Sequence, residues 1–125
     1  MLEKGLIQVY TSASELTNYA PFGLALRASG QRFKTYIMGF GPYTGMEGAR
    51  KASVLLQPSL RVENTFTDFP AAGDSSRRNE EQRYREAFRD CIQTVKSGAY
   101  DIVILIQIHQ AVSQGLIPLQ YLLEL

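Results

Sequence analysis

The sequence is poor in the residues on which several classes of protein depend. Among its 125 residues there is a single cysteine, Cys91, which excludes an internal disulfide framework and favours a reducing compartment. The formal net charge is only +1, because 13 basic side chains are nearly balanced by 12 acidic ones. A chain with so little excess charge has no electrostatic reason to bind nucleic acid, an acidic membrane surface or a polyanion.

Long hydrophobic segments are also missing. The longest aliphatic run, Ile102 to Ile106, is far shorter than the ~20 residues that a membrane-spanning helix requires. The first five residues, Met-Leu-Glu-Lys-Gly, lack the hydrophobic region of a signal peptide. We therefore expect a soluble cytoplasmic protein with no membrane partner and no nucleic-acid partner.

Hydrophobic residues, which make up 45% of the chain, fall into short segments that alternate between strand and helix patterns. Strands are predicted at residues 6–10, 34–40, 60–64 and 101–107, the last being the most hydrophobic and expected at the centre of the sheet. Helices are predicted at about 18–30, 46–56, 76–97, 109–114 and 119–123. This order predicts a single α/β domain over residues 1–125, with helices covering a mostly parallel, doubly wound sheet of about four strands.

The clearest helix is predicted between residues 76 and 97. Six apolar side chains recur there at helical spacing and should form one buried stripe: Tyr84, Ala87, Phe88, Cys91, Ile92 and Val95. Arginine and acidic residues interleave on the rest of the helix, a pattern typical of a solvated face with local ion pairs. Cys91 is therefore expected to be a packed core residue.

The segment between the first strand and the first helix has the position of a phosphate-binding loop but not its residues. In such loops glycines let backbone N–H groups approach the phosphates, and a lysine holds the terminal ones. Residues 11–18 contain no glycine and no lysine, and they include a carboxylate, Glu15. The hydroxyls of Ser12, Ser14 and Thr17 could still hold an anion. However, an ordinary polar turn with Asn18 as the helix cap is favoured, because a like charge about 4 Å from a phosphate costs about 1 kcal/mol even in water.

Three segments carry a resemblance to a known family. They are Gly5-Leu-Ile-Gln-Val-Tyr-Thr11, Gly23-Leu-Ala-Leu-Arg-Ala28 and Ser97-Gly-Ala-Tyr-Asp-Ile-Val-Ile-Leu105. Together they resemble the ATP:corrinoid (cob(I)alamin) adenosyltransferases of the phosphate-loop type. The resemblance implies a three-layer α-β-α fold with a P-loop NTPase-like (RecA-like) core. That core is expected to be truncated here, because family members continue past the position of Leu125.

The same resemblance implies that the family's functional positions are occupied here by residues of other types. Its loop glycines fall on Ser12, Ser14 and Leu16, its phosphate lysine on Thr17 and its magnesium-binding threonine on Asn18. Its metal-supporting acidic pair falls on Ile106 and Gln107. Magnesium and phosphate chemistry needs oxygen anions and cations that these residues do not supply. We therefore predict no catalytic residue and no metal site, and only a vestigial phosphate loop formed by Ser12, Ser14, Thr17 and Asn18.

His109, the only histidine, follows the last predicted strand at the edge where ligands bind in open parallel sheets. It could contact a ligand or titrate near neutrality. A lone histidine without neighbouring Cys, Asp or Glu makes a poor metal site, so a structural or surface role is favoured over ligand binding.

The leading interpretation is a catalytically inactive adenosyltransferase-like protein used for binding, assembly or regulation, with no cofactor assigned. The resemblance implies an alternative, a divergent enzyme that still binds ATP–magnesium or a corrinoid. A third interpretation is a subunit that regulates a full-length homologue. Because the first strand would be a sheet edge if the chain ends at Leu125, we expect a homodimer or larger assembly joined through residues 6–10 or 119–125.

Overall fold

The computed structural model describes residues 20–41, 46–64 and 77–125, and the order of its helices and strands follows the predicted one. The elements are α1 (Ala20–Gly30), β1 (Thr35–Gly39), α2 (Met46–Ser53) continued by a 3-10 turn (Val54–Leu56), β2 (Leu60–Asn64), α3 (Arg77–Lys96), β3 (Ile102–Ile106), α4 (Ile108–Ser113) and α5 (Leu119–Leu123). The predicted strand at 6–10 and the irregular connection at 65–76 lie outside the described residues.

The three described strands form one parallel sheet in the order β2-β1-β3. Ile37 at the middle of β1 lies opposite Val62 on one side and Ile104 on the other. All five residues of β1 are buried, as expected for a parallel strand flanked by neighbours and covered on both faces. β1 is thus the central strand of the described sheet and β3 an edge of it. The predicted central position of β3 depends on the segment 6–10, which lies outside the described residues.

Side chains alternate across the sheet and produce two separate cores. Tyr36, Met38 and Phe40 point to the side covered by α3, where they pack with residues of α3, α4 and the turn after α4. Ile37 belongs to the opposite core, together with Ala25 of α1 and residues of β2 and β3. The arrangement is a three-layer α/β fold, which confirms the predicted fold class.

The helix α3 carries the predicted apolar stripe. Tyr84, Phe88 and Cys91 are fully buried, and the Phe88 ring lies 5.8 Å from that of Phe40 between centroids. Ala87 and Ile92 are partly buried against the same core. The solvated side of the helix has the expected local ion pairs: Arg83 with Glu80 at 2.9 Å and Arg77 with Glu81 at 3.3 Å. Gly98, with a φ of 71°, takes the left-handed conformation that follows many helices.

In the part of the chain that the structure describes, none of the helices combines the length and the apolar character needed to cross a bilayer.

Candidate functional site

Parallel strands bring their carboxyl ends to the same edge of the sheet, and ligands of open α/β sheets bind there. In this protein the strands end at Gly39, Asn64 and Ile106. The backbone N–H of Phe40 donates to the carbonyl of Ile106 at 2.9 Å, so β1 and β3 remain paired up to this edge. The residues that follow β3 are therefore held at a fixed place beside the end of the central strand.

Ile106 is the last residue of β3, and its environment is apolar. Only 7% of the residue is exposed, and it belongs to the core formed with Ala25 and Ile37. An isoleucine in such a core supplies neither charge nor an oxygen atom. It therefore adds hydrophobic contacts to the sheet and no ligand for a cation.

Gln107 has a left-handed backbone conformation and a buried polar side chain. Its φ of 60° and ψ of 21° are left-handed, a conformation that costs a non-glycine residue roughly 1–2 kcal/mol. The residue is 8% exposed, and its Nε2 donates to Oε1 of Gln110 at 2.8 Å. Its own Oε1 is buried and has no hydrogen-bond partner among the described residues. Strained backbone and an unpaired buried acceptor are features that concentrate at functional sites.

His109 lies two residues further on, in the first turn of α4, and it is exposed. Of the five predicted ligand contacts it is the only one that the structure describes. Ser12, Ser14, Thr17 and Asn18 lie outside the described residues, so the predicted vestigial loop and the predicted helix cap stay predictions. The role of His109, structural or in ligand binding, likewise stays a prediction.

A polar cleft of about 560 Å³ lies on the α3 side of the sheet, and it is lined by Tyr36 of β1, Arg61 and Glu63 of β2, and residues at the end of α3. The Tyr36 hydroxyl donates to Glu63 Oε2 at 2.9 Å, and Arg61 pairs with Glu63 while its guanidinium lies 5.6 Å from the centre of the Tyr36 ring. Burial, and then the hydrogen bond to Glu63, raises the pKa of Tyr36 well above its ordinary value. This cluster was not predicted from the sequence. The signal was present in β2, where the charged Arg61 and Glu63 alternate with the apolar Leu60 and Val62.

A comparison with protein families gives a match over nearly the whole chain. The family model described as ATP:corrinoid adenosyltransferase BtuR/CobO/CobP matches residues 3–125. The chain belongs to this adenosyltransferase family. No curated protein and no solved structure matches it. The match confirms the resemblance drawn from the three sequence segments.

An ATP:corrinoid adenosyltransferase uses ATP and a corrinoid, and the edge after β3 can be tested for its fit to a magnesium-bound nucleotide. Ile106 offers no oxygen, and Gln107 offers one neutral amide oxygen. Magnesium in nucleotide sites is held through carboxylates and phosphates. The two residues therefore do not fit a metal supported by an acidic pair.

Proposed function

We propose that this member of the adenosyltransferase family does not transfer the adenosyl group and instead serves in binding, assembly or regulation. The observation that carries the proposal is the end of β3, where Ile106 is part of the apolar core and Gln107 supplies only a neutral amide. Phosphate-transfer and related nucleotide chemistry depends on positioned charges around the metal and the leaving phosphates. Neither residue supplies one.

The loop sequence supports the same conclusion by a separate route. Thr17 replaces the cation expected to hold the terminal phosphates, and Glu15 adds a negative charge to the loop. Ser12 and Ser14 also have side chains at positions where the family has glycines, the residues that allow close approach of the backbone to a phosphate. The loop and the end of β3 thus both lack the family's charged residues. Changes at two separate places favour loss of the reaction over a mechanism in which another residue takes over one of the roles.

The direct test is adenosyl transfer. Purified protein is mixed with ATP, magnesium and chemically reduced cob(I)alamin, and formation of the cobalt–carbon bond is followed by absorbance. We expect a rate equal to that of buffer. Restoring only the acidic pair, in an Ile106→Asp/Gln107→Glu variant, should leave the rate at that level because the loop still lacks its lysine. A rate clearly above buffer for the unmodified chain would overturn the proposal.

One observation favours a second candidate, a homologue that retains nucleotide or corrinoid binding. The buried Oε1 of Gln107 is an acceptor without a partner among the described residues, and a ligand N–H or O–H group would satisfy it. Isothermal titration with ATP–magnesium and, separately, with a corrinoid tests this candidate. Submillimolar binding that is weakened by Gln107→Leu supports it, and no heat with either ligand removes it.

The assembly role is proposed to involve a homodimer. Leu119 and Leu123 stand one helical turn apart on α5 with 55% and 71% of each residue exposed, and Leu125 is also exposed. Such a cluster of leucines would be covered by contact with a second copy. Light scattering at micromolar concentration should show a dimer, and a Leu119→Glu/Leu123→Glu variant should be a monomer. A monomeric unmodified chain would remove this part of the proposal, and co-purification with a full-length homologue would test the regulatory alternative.

A further inference from the structure

The cationic side chains of α3 fall into two groups. The helix contains six cationic and four acidic residues. Arg77 forms an ion pair with Glu81. Arg83 forms one with Glu80. The remaining four cations have no ion-pair partner among the described residues, and they are Arg78, Arg85, Arg89 and Lys96.

These four residues lie on one line along the helix, which we call the α3 cation line. Steps of seven, four and seven residues separate them, from Arg78 to Lys96. Because an α-helix turns about 100° per residue, these steps bring all four to within about 20° of a single line parallel to the helix axis. At a rise of about 1.5 Å per residue the line extends about 27 Å. Three of the four residues are exposed, and Arg85 is half-buried.

Two acidic residues border the α3 cation line, one on each side. Glu81 lies about 60° from the line around the helix, and Glu86 lies about 80° from it in the other direction. Glu81 is already paired with Arg77. Oε1 of Glu86 accepts a hydrogen bond from Nε2 of Gln82 at 3.0 Å. The cations therefore form a narrow positive strip between two negative borders, and the acidic residues of the helix do not pair with them.

Arg85 gives a second indication that the α3 cation line lacks a partner within the chain. Its Nε is buried and has no hydrogen-bond partner among the described residues, whereas buried donors in folded proteins are nearly always paired. Three of the four cations are arginines, and a guanidinium binds a carboxylate through two parallel N–H groups. The line is therefore suited to carboxylates.

We propose that the α3 cation line docks an acidic helix of a partner protein that lies alongside α3. Two helices have the same rise per residue, so carboxylates at the same steps of seven, four and seven residues can face all four cations. The series of steps is the same in both directions, and it fits a parallel and an antiparallel partner helix equally. The proposal deepens the binding role proposed above and rests on it.

Other occupants fit the α3 cation line less well. A membrane or a nucleic-acid duplex presents a broad anionic surface, which would bring negative charge onto Glu81 and Glu86 as well as onto the cations. A single row of carboxylates on a helix meets only the line. A second copy centred on the line would place like cations against each other, because a two-fold contact uses the same patch on both sides. These occupants are outcomes of the test below.

The probe is a fluorescent helical peptide of roughly 22 residues, rich in alanine and glutamine, with four glutamates at steps of seven, four and seven. The control peptide has the same composition, but its glutamates are distributed around the helix. Exposed ion pairs are individually weak, so the anisotropy titration begins at about 0.02 M salt and extends to about 1 mM protein. The probe should bind at least about tenfold more tightly than the control and should dissociate as salt rises to about 0.5 M. Equal binding of the two peptides, or no binding of the probe, would overturn the proposal.

Variants of the protein test whether the binding occurs at this line. Arg85→Glu/Arg89→Glu should lower the affinity at least about tenfold, because two attractive contacts become repulsive. Arg27→Glu/Arg32→Glu is the matched control, since it makes the same change of charge at exposed positions in α1 and just after it, and it should bind the probe nearly as the unmodified chain does. An equal loss in this control would contradict the assignment to the α3 cation line.

Circular dichroism checks that each variant is folded. If the charge-reversed variant is unstable, Arg85→Gln/Arg89→Gln removes the two charges without introducing repulsion and should lower the affinity about threefold or more. Unchanged affinity in a folded Arg85→Gln/Arg89→Gln variant would also contradict the proposal.

Three further measurements decide between occupants. Vesicles with and without an anionic lipid test the membrane, a DNA duplex tests nucleic acid, and light scattering tests the second copy. Vesicle or duplex binding that is tighter than that of the probe and is lost in Arg85→Glu/Arg89→Glu would overturn the proposal in favour of that occupant. A dimer that the same variant dissociates would do so in favour of a second copy. Failure of the peptide assay leaves the adenosyl-transfer assay unaffected, so the two proposals fail separately.

Discussion

In the turn that follows β3, the side-chain Nε2 of Gln107 donates to Oε1 of Gln110 at a distance of 2.8 Å. The bond fixes the amide of Gln107 within the turn, while the backbone of the same residue is left-handed and its Oε1 is buried without a partner among the described residues. At Gln107 one stabilising hydrogen bond is therefore combined with two destabilising features, the left-handed backbone and the unpaired Oε1. The balance of these effects can be measured.

We predict that Gln107→Gly leaves the free energy of unfolding unchanged or raises it by about 1 kcal/mol. Glycine relieves a left-handed backbone worth roughly 1–2 kcal/mol and removes the unpaired acceptor, against the loss of one hydrogen bond of about 1 kcal/mol. Urea denaturation of both proteins measures the difference. A loss of more than about 2 kcal/mol would show that the Gln107 side chain stabilises the turn more than its contacts indicate.

We predict that Phe88→Ala is strongly destabilising, because the side chain is fully buried between Phe40 and the half-buried Tyr121. Removal of a buried phenylalanine costs about 3–5 kcal/mol through lost contacts and the cavity that remains. Chemical denaturation compares this variant with Arg89→Ala, a neighbouring exposed position on α3 that should change stability by less than about 0.5 kcal/mol. Similar losses in both variants would contradict the packing described for α3.

We predict that Tyr36→Phe lowers stability by about 1–3 kcal/mol, since it removes the hydrogen bond that the hydroxyl donates to the Glu63 carboxylate. The bond can be isolated with a double-mutant cycle that adds Glu63→Gln and the combined variant. A positive coupling energy is expected. If the effects of the two changes simply add, the 2.9 Å contact contributes nothing measurable to the folded protein.

Stability should fall in alkaline solution. Burial raises the pKa of the Cys91 thiol from 9.0 to about 11 and that of the Tyr84 hydroxyl from 10.0 to about 12. Above pH 9 the unfolded chain loses the thiol proton while the folded chain retains it, so ionisation favours unfolding. The stability that the protonated Cys91 thiol contributes is fully present below pH 9 and is lost as the pH rises towards 11.

Urea midpoints measured from pH 7 to pH 11 test this expectation, with Cys91→Ala as the comparison. The variant starts from a lower stability because it removes a buried side chain, but its midpoint should fall less steeply between pH 9 and pH 11. The slope, not the absolute stability, is the informative quantity. Equal slopes in the two proteins would mean that Cys91 does not titrate differently in the folded and unfolded states.

Local sequence patterns were sufficient for several elements of the fold. The predicted strand at 60–64 has the bounds of β2. The long predicted helix at 76–97 corresponds to α3, because apolar side chains recur at helical spacing from Tyr84 to Val95. The short α5 also lies where Pro118 indicated. These features depend on residues close together in the chain.

Other features depend on tertiary contacts and could not be read from local patterns. Glutamine has no preference for a left-handed backbone, so nothing near Gln107 signalled its conformation. The contact between Tyr36 and Glu63 required the register of β1 and β2, which only the assembled sheet supplies.

The position of β1 at the middle of the described sheet also bears on how the protein folds. Next to this strand, the backbone N–H of Lys34 donates to the Asp101 carboxylate across 67 residues of chain, and β1 pairs with β3 immediately afterwards. Contacts of such high sequence separation slow the search for the native topology, because a long loop must close before they form. During synthesis β1 leaves the ribosome before β3, so one side of β1 lacks its strand partner until the later segment has been made.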